Sequence, residues 1–366
     1  MDVTEASLFV TQASERVPYH GRAKEEKKAV HWGNRKLTIA EIELLALFWD
    51  PVALPKPKIL YVGAAPGSHI DILAQMFPEV EFHLYDPRKF SLEENLPGTP
   101  GYVQGKASIK IYTGESGFFT DDKAREWSGR GDVIFICDIR SGDIKDKDFA
   151  AVITADMKAQ ERWYNIIQPR LAQLKFRLPY YDEKRDGTQT FKYLGGRVMK
   201  GIWTPASSTE ARLIPEQGMT VDWDLQWYED TMAYHNRILR ETPLGFRNLW
   251  TGDLTPISDP ELVVDFDSVA EAFILRGYLL GRSVENPSQQ QVAALSAWIT
   301  DELNAWSTLY TDISTLRQLP LGQRSSVIRQ SLIREGGLVA VPGTRTQRKR
   351  KGVRAGAVAE DDIEED

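Results

Sequence analysis

The chain has 366 residues, 42% of them hydrophobic, and a formal net charge of -7. Such a length and apolar content bury a large core without staples, and the single cysteine, Cys137, cannot pair within the chain, which excludes a disulfide-framed secreted scaffold and indicates a reducing compartment. The acidic balance excludes a surface that is basic throughout, so any RNA contact is confined to a local basic groove.

In chain order, the opening MDVTEASLFV lacks the basic and apolar regions of a signal peptide, and no apolar run is long enough to span a bilayer. A cytoplasmic protein with no membrane partner is expected. A polar N-terminal arm over residues 1–37 precedes a helix from Thr38 to Trp49, where apolar residues recur every three or four positions. The prolines of DPVALPKPK end it. From Ile59 the pattern is strand (ILYV), turn (GAAPG), helix (SHIDILAQMF) and strand (VEFHLYD). DVIFICD reads as another buried strand and DFAAVITADMKAQERWYNIIQ as a long helix. Continuous apolar strands alternating with helices predict an α/β fold, a doubly wound and mostly parallel sheet with helices on both faces. GGRVMKGIWTP and TEARLIP follow as strands, WYEDTMAYHNRILRE and SQQQVAALSAWITDELNAWSTL as helices, with no linker before them. Residues 1–343 are therefore expected to form one domain with a C-terminal helical part at 260–343. Residues 344–366, a basic block and then an acidic block, read as a disordered tail.

In open parallel sheets ligands bind at the carboxyl ends of the strands, above all at the first strand-to-helix turn. Gly63 and Gly67 permit backbone angles closed to other residues and let a ligand approach closely, while Pro66 fixes the chain direction before the helix. A dinucleotide site has a third glycine; G-A-A-P-G has two, which suits a pyrophosphate poorly and leaves an NAD-dependent oxidoreductase as the weakest reading. Asp86, closing the next strand, stands where a carboxylate accepts hydrogen bonds from both ribose hydroxyls of a nucleoside ligand.

PYHGRAK, YVGAAPGSHI, DIR, LKFRLPYYD, TEARL and YEDTMAYHN, in this order and at these separations, resemble the poxviral mRNA cap 2′-O-methyltransferases, which also serve as the small subunit of poly(A) polymerase. The similarity runs from about Pro18 to Asn236. The resemblance implies a Rossmann-like, S-adenosylmethionine-dependent methyltransferase of viral origin, acting on capped mRNA 5′ ends in the host cytoplasm. It also implies a tetrad of Lys24, Asp138, Lys175 and Glu210, and a cofactor pocket of Tyr61, Gly63, Ala64, Pro66, Gly67, His69, Asp86, Arg88 and Asp138, with no metal. Arg22 replaces the family's glutamine in the N-terminal motif.

Methyl transfer from a sulfonium to a ribose hydroxyl is an in-line displacement, limited by alignment and by the poor nucleophilicity of a neutral alcohol. A lysine is a base only as the free amine, and its ordinary pKa of about 10.4 is too high for that at neutral pH. A second ammonium and partial burial lower it, whereas carboxylates raise it but aim the amine. Lys175 is thus the expected base, Lys24 the like charge, and Asp138 and Glu210 the groups that fix both amines.

A 7-methylguanine base carries a delocalised positive charge; it stacks between electron-rich rings and offers edge hydrogens to carboxylates. The resemblance places Tyr180, Asp182 and Glu229 in those roles. The opposing ring of the sandwich is missing from its family position, and Phe9 is the candidate substitute. Arg140, Arg177 and Arg212 flank the site in sequence as candidates for transcript phosphates. Two alternatives stay open: methylation of an internal ribose of a structured RNA, and a binding subunit that gives a poly(A) polymerase catalytic partner its processivity.

Overall fold

The computed structural model describes residues 5–20, 33–142, 149–182, 184, 187–205, 207–240, 246–247, 254–255 and 266–304. Its elements are β1 (Phe9–Val10), α1 (Gly33–Leu47), β2 (Lys58–Val62), α2 (Ile70–Met76), β3 (Glu81–Tyr85), β4 (Ser108–Tyr112), α3 (Asp121–Trp127), β5 (Val133–Cys137), α4 (Phe149–Ile167), β6 (Leu171–Phe176), β7 (Thr190–Met199), β8 (Ala211–Asp224) and α5 (Leu225–Tyr234). A π turn over His235–Leu239 continues α5, a short ladder pairs β9 (Phe246–Arg247) with β10 (Leu254–Thr255), and α6 (Phe266–Gly281) and α7 (Gln289–Asn304) follow.

Eight strands form one sheet in the order β1-β7-β8-β6-β5-β2-β3-β4. The run from β4 through β3, β2 and β5 to β6 is parallel, while β8 enters antiparallel beside β6 and β7 and β1 extend the antiparallel edge. Alternation along β2 sends Ile59 and Tyr61 to one face and Leu60 and Val62 to the other. On the first face they pack with Ile42 of α1, Leu73 of α2, Ile274 of α6 and Trp298 of α7; on the second with Trp127 of α3, Met157 of α4 and Met232 of α5. Every residue of β5 is buried, as a central parallel strand covered on both faces requires. The fold is a doubly wound, Rossmann-like methyltransferase arrangement.

Two features of this topology position the site. The chain passes from β2 to β3 on one side and comes back to β5 on the other, so β2 and β5 flank the switch point where a doubly wound sheet opens a crevice. Because β8 runs against β6, the start of β8 lies at the carboxyl end of β6, on the same rim: Phe176 pairs with Ala211 and Lys175 with Arg212. The N-terminal helix departs from the sequence expectation. It begins at Gly33 rather than Thr38, since its polar first turn is held by tertiary contacts of Arg35 and Lys36 that no apolar periodicity announces. β7 stops at Met199, leaving GIWTP outside the strand, and β1, β4, α3, β6, α6 and the β9–β10 pair add elements to the set read from sequence. Residues 305–366, which hold the expected tail, lie outside the described residues.

Candidate active site

The glycine turn sits at the switch point. Gly63 adopts φ +81°, and a Cβ there would stand 2.8 Å from the Asp138 carbonyl carbon and the Ile139 nitrogen, so only glycine lets the tips of β2 and β5 meet this closely. The Asp138 N–H donates to the Val62 carbonyl at 2.9 Å and the Gly63 N–H to the Tyr85 carbonyl at 2.8 Å, tying three strand ends together. Gly67 is also left-handed, at φ +70°, and the Ala65–Pro66 bond between them is cis.

Around this turn the structure gathers most of the expected cofactor residues, several in company not anticipated from sequence. Asp86 closes β3, and its carboxylate accepts from the N–H groups of Ala65 at 3.0 Å and Arg88 at 2.8 Å and from the Arg88 guanidinium at 2.8 Å. Burial opposes its ionised form, but these donors more than offset it and hold the carboxyl below the usual range. Tyr61 and His69 are buried. The Tyr61 hydroxyl donates to Glu41 Oε1 at 2.5 Å, and His69 Nε2 lies 3.1 Å from the same oxygen, so one carboxylate of α1 ties both flanks of the turn. Burial, foremost, and the neighbouring Glu41 push the Tyr61 phenol well up, keeping it a donor.

Three members of the expected tetrad converge beside the turn. Lys175 Nζ lies 3.3 Å from Asp138 Oδ1 and 3.4 Å from Glu210 Oε2. Asp138 follows β5, Lys175 is the penultimate residue of β6, and Glu210 immediately precedes β8, so the parallel β5–β6 pair and the antiparallel β6–β8 pair together create the cluster. Lys24 lies outside the described residues, as does Arg22. Among the described residues, the N-terminal cation that meets Glu210 is Lys36, in the first turns of α1, at 3.2 Å from Oε1. The candidate RNA arginines also turn inward. Arg212 donates to Asp138 Oδ1 at 2.7 Å and to Glu210 Oε1 at 2.9 Å, and Arg140 donates to Glu210 Oε2 at 3.0 Å. Burial disfavours both carboxylates, yet the surrounding cations, Lys175 first, hold Asp138 below and Glu210 well below the ordinary range.

A second group lies along the same rim. Tyr180 stacks on Tyr19 with ring centroids 5.9 Å apart and planes 25° from parallel. The Arg177 guanidinium lies between Phe149, 5.1 Å away, and Tyr180, 4.9 Å away, and donates to the Tyr180 hydroxyl. Glu229 Oε1 accepts the Tyr181 N–H at 2.8 Å, and Asp182 is exposed, accepting the Lys184 N–H at 3.0 Å. Phe9 is not the ring that faces Tyr180. It belongs to edge strand β1 opposite Met199, is buried, and packs edge-on against Phe48 at 5.7 Å. Tyr19, in the PYHGRAK motif itself, is the partner, held by donation of its N–H to Asp230 at 2.9 Å. Its place in that motif was the available signal.

Residues 3–286 match the family described as poly A polymerase regulatory subunit. The chain belongs to that family. Among its relatives are the cap-specific mRNA (nucleoside-2′-O-)-methyltransferases of Myxoma virus, strains Lausanne and Uriarra; each is 24% identical over 244 residues, covering 64% of this chain and 69% of theirs. Methyltransferase relatives and a methyltransferase fold thus go together in this member of the poly(A) polymerase regulatory subunit family. No helix among its described residues is long and apolar enough to cross a membrane.

Proposed function

We propose that the chain is an S-adenosylmethionine-dependent mRNA cap 2′-O-methyltransferase, converting cap-0 to cap-1 at the first transcribed nucleotide. The observation that carries this reading is the seat of Lys175 between Asp138 and Glu210, on the strand rim beside Gly63. The donor set suits a sulfonium nucleoside. Asp86 offers acceptors for ribose hydroxyls, and Asp138, 14% exposed, offers one for the methionine ammonium. Gly63, Ala64, Pro66, Gly67, Tyr61 and His69 form the turn and its flanks. Bound S-adenosylmethionine supplies an electrophilic methyl group.

Lys175 would orient the 2′-hydroxyl and take up its proton as the O–CH3 bond forms at the expense of the sulfonium S–CH3 bond, leaving a neutral thioether, while Asp138 and Glu210 aim the amine. Lys36 supplies a second ammonium on Glu210, the role also proposed for Lys24. Tyr180 and Tyr19 bracket the 7-methylguanine base; their centroid separation of 5.9 Å widens by about 1 Å to give the base roughly 3.4 Å on each face. Asp182 and Glu229 receive its edge hydrogens. The family description adds a second reading, a poly(A) polymerase catalytic subunit as partner, working with this chain in the cytoplasm of an infected cell. Co-purification with such a polymerase and stimulated tail extension test that role.

The deciding experiment is methylation of cap-0 RNA with the modified position mapped. Methylation at the first ribose 2′-oxygen, abolished in Lys175→Ala with S-adenosylmethionine binding retained, is the expected result. Methylation at an internal ribose, or substantial turnover by Lys175→Ala at neutral pH, overturns the assignment.

A further inference from the structure

Arg212 sits deeper than a phosphate contact should. Only 8% of its side chain is exposed, and the β6–β8 register sets it directly across from Lys175. The sheet pleat puts Glu210, two residues earlier, on the same face. Its guanidinium spans both carboxylates, at 2.7 Å to Asp138 and 2.9 Å to Glu210, and donates again to the Ala211 carbonyl at 3.2 Å. Lys175 bridges the same two carboxylates from the other side.

The two carboxylates differ in what remains when Lys175 loses its proton. Glu210 keeps Lys36 and Arg140 in addition to Arg212. Among the described residues Asp138 has ion pairs with Lys175 and Arg212 alone. If Arg212 were uncharged, a neutral Lys175 would leave Asp138 with no counter-ion from the described residues, only the ammonium of the bound cofactor, and losing one buried positive charge beside the lysine favours the lysine that keeps its proton. An arginine suits this task because its guanidinium stays charged at every accessible pH, while its planar fork reaches two carboxylates at once.

We infer that Arg212 is a positioning residue of the methyl-transfer site, whose fixed charge pairs with Asp138 when Lys175 is the free amine, rather than a contact to transcript phosphates. This rests on the reading of Lys175 as base. Among the described residues, the charged and titratable groups around Lys175 and its two carboxylates are Asp138 and Arg140 after β5, Glu210 and Arg212 at the start of β8, Lys36 on α1, and Tyr61 on β2, itself bonded to Glu41. Among the described residues, only Arg212 both opposes Lys175 across the strand pair and pairs with Asp138.

The test is the pH dependence of single-turnover methylation of cap-0 RNA by Arg212→Met and Arg212→Lys, with binding of the same RNA measured in parallel. For Arg212→Met the acid limb of the rate profile moves toward alkaline pH by about one unit or more, a tenfold loss or greater at neutral pH that recovers as pH rises. Arg212→Lys shows a smaller displacement, and RNA affinity stays within about threefold of wild type in both. The double variant Asp138→Asn/Arg212→Met, which removes the charge with its partner, brings the limb back toward the wild-type position and carries the test should Arg212→Met alone fail to fold. An unmoved profile in Arg212→Met, or a large loss of RNA affinity without a pH displacement, overturns the inference. Lys175→Ala run alongside separates the two levels: if it stays active the base assignment falls, and if it is inactive while the profile is unmoved, only the role of Arg212 falls.

Discussion

Lys36→Met probes the part of the site that the N-terminal helix supplies. The Lys36 ammonium lies 3.2 Å from Glu210 Oε1, and the two side chains are 9% and 6% exposed, so the pair is screened little by solvent. Removing one partner of a buried pair costs about 3–5 kcal/mol when the remaining charge is stranded. Glu210 is not stranded, since Arg212, Arg140 and Lys175 remain at 2.9, 3.0 and 3.4 Å, which brings the loss down to about 2–3 kcal/mol. Expressed in the transition state, that is a fall in rate of roughly 30- to 150-fold. The assay is single-turnover methylation of cap-0 RNA at saturating S-adenosylmethionine, with thermal unfolding as a control for folding. Lys36→Arg, which keeps the charge, recovers most of the rate. A Lys36→Met rate within about threefold of wild type refutes the reasoning. So does an inactive Lys24→Ala beside an active Lys36→Met, because the second ammonium would then be Lys24.

Three further outcomes follow from particular contacts. Tyr180→Ala and Tyr19→Ala each weaken binding of capped RNA by about 10- to 30-fold relative to uncapped RNA, the worth of a desolvated cation–π contact; equal losses on both RNAs count against a cap slot at this stack. Gly63→Ala forces an L side chain to φ +81° at about 1–2 kcal/mol, before the 2.8 Å approach to the Asp138 backbone is counted, so a lowered melting temperature and weakened S-adenosylmethionine binding are expected; an unchanged melting temperature contradicts the close crossing. Glu43 on α1 is wholly buried with Oε1 unpaired, and burial pushes its carboxyl well up, so the folded chain holds a neutral acid while the unfolded chain ionises above pH of about 4.3. Its contribution to stability is therefore full below that pH and declines as pH rises toward the folded value. Glu43→Met should raise stability by about 1–3 kcal/mol at pH 8 and by much less at pH 4 in denaturant titrations; a gain that is constant with pH, or absent at pH 8, would remove the argument.

The residues legible in the sequence are those whose signal is local. β2, the glycine turn, α2 and β3 follow from a continuous apolar run, two glycines and a change of period, and β5 and α4 from the same rules. β4 was not evident because SIKIY is a short segment at the sheet edge with a single buried residue, Ile109, and carries little apolar signal. Asp138, Lys175 and Glu210 are ordinary charges by themselves; the ordered resemblance singled them out, and the strand order puts both carboxylates within 3.4 Å of the Lys175 ammonium. Lys36 escaped notice because it precedes the first apolar repeat of α1, and Tyr19 because its place in the PYHGRAK motif marks it without telling which distant ring it meets.

By itself the sequence determined the alternating elements, the covered parallel sheet and the crevice after the first strand, since backbone period and apolar burial act between neighbours in the chain. That Lys36 reaches Glu210, that Tyr19 faces Tyr180, and that Arg212 turns toward Asp138 were decided only in the tertiary structure. Those pairings depend on strand order and on the register of β8 against β6, and charges fall off with distance in space, whatever their separation along the chain.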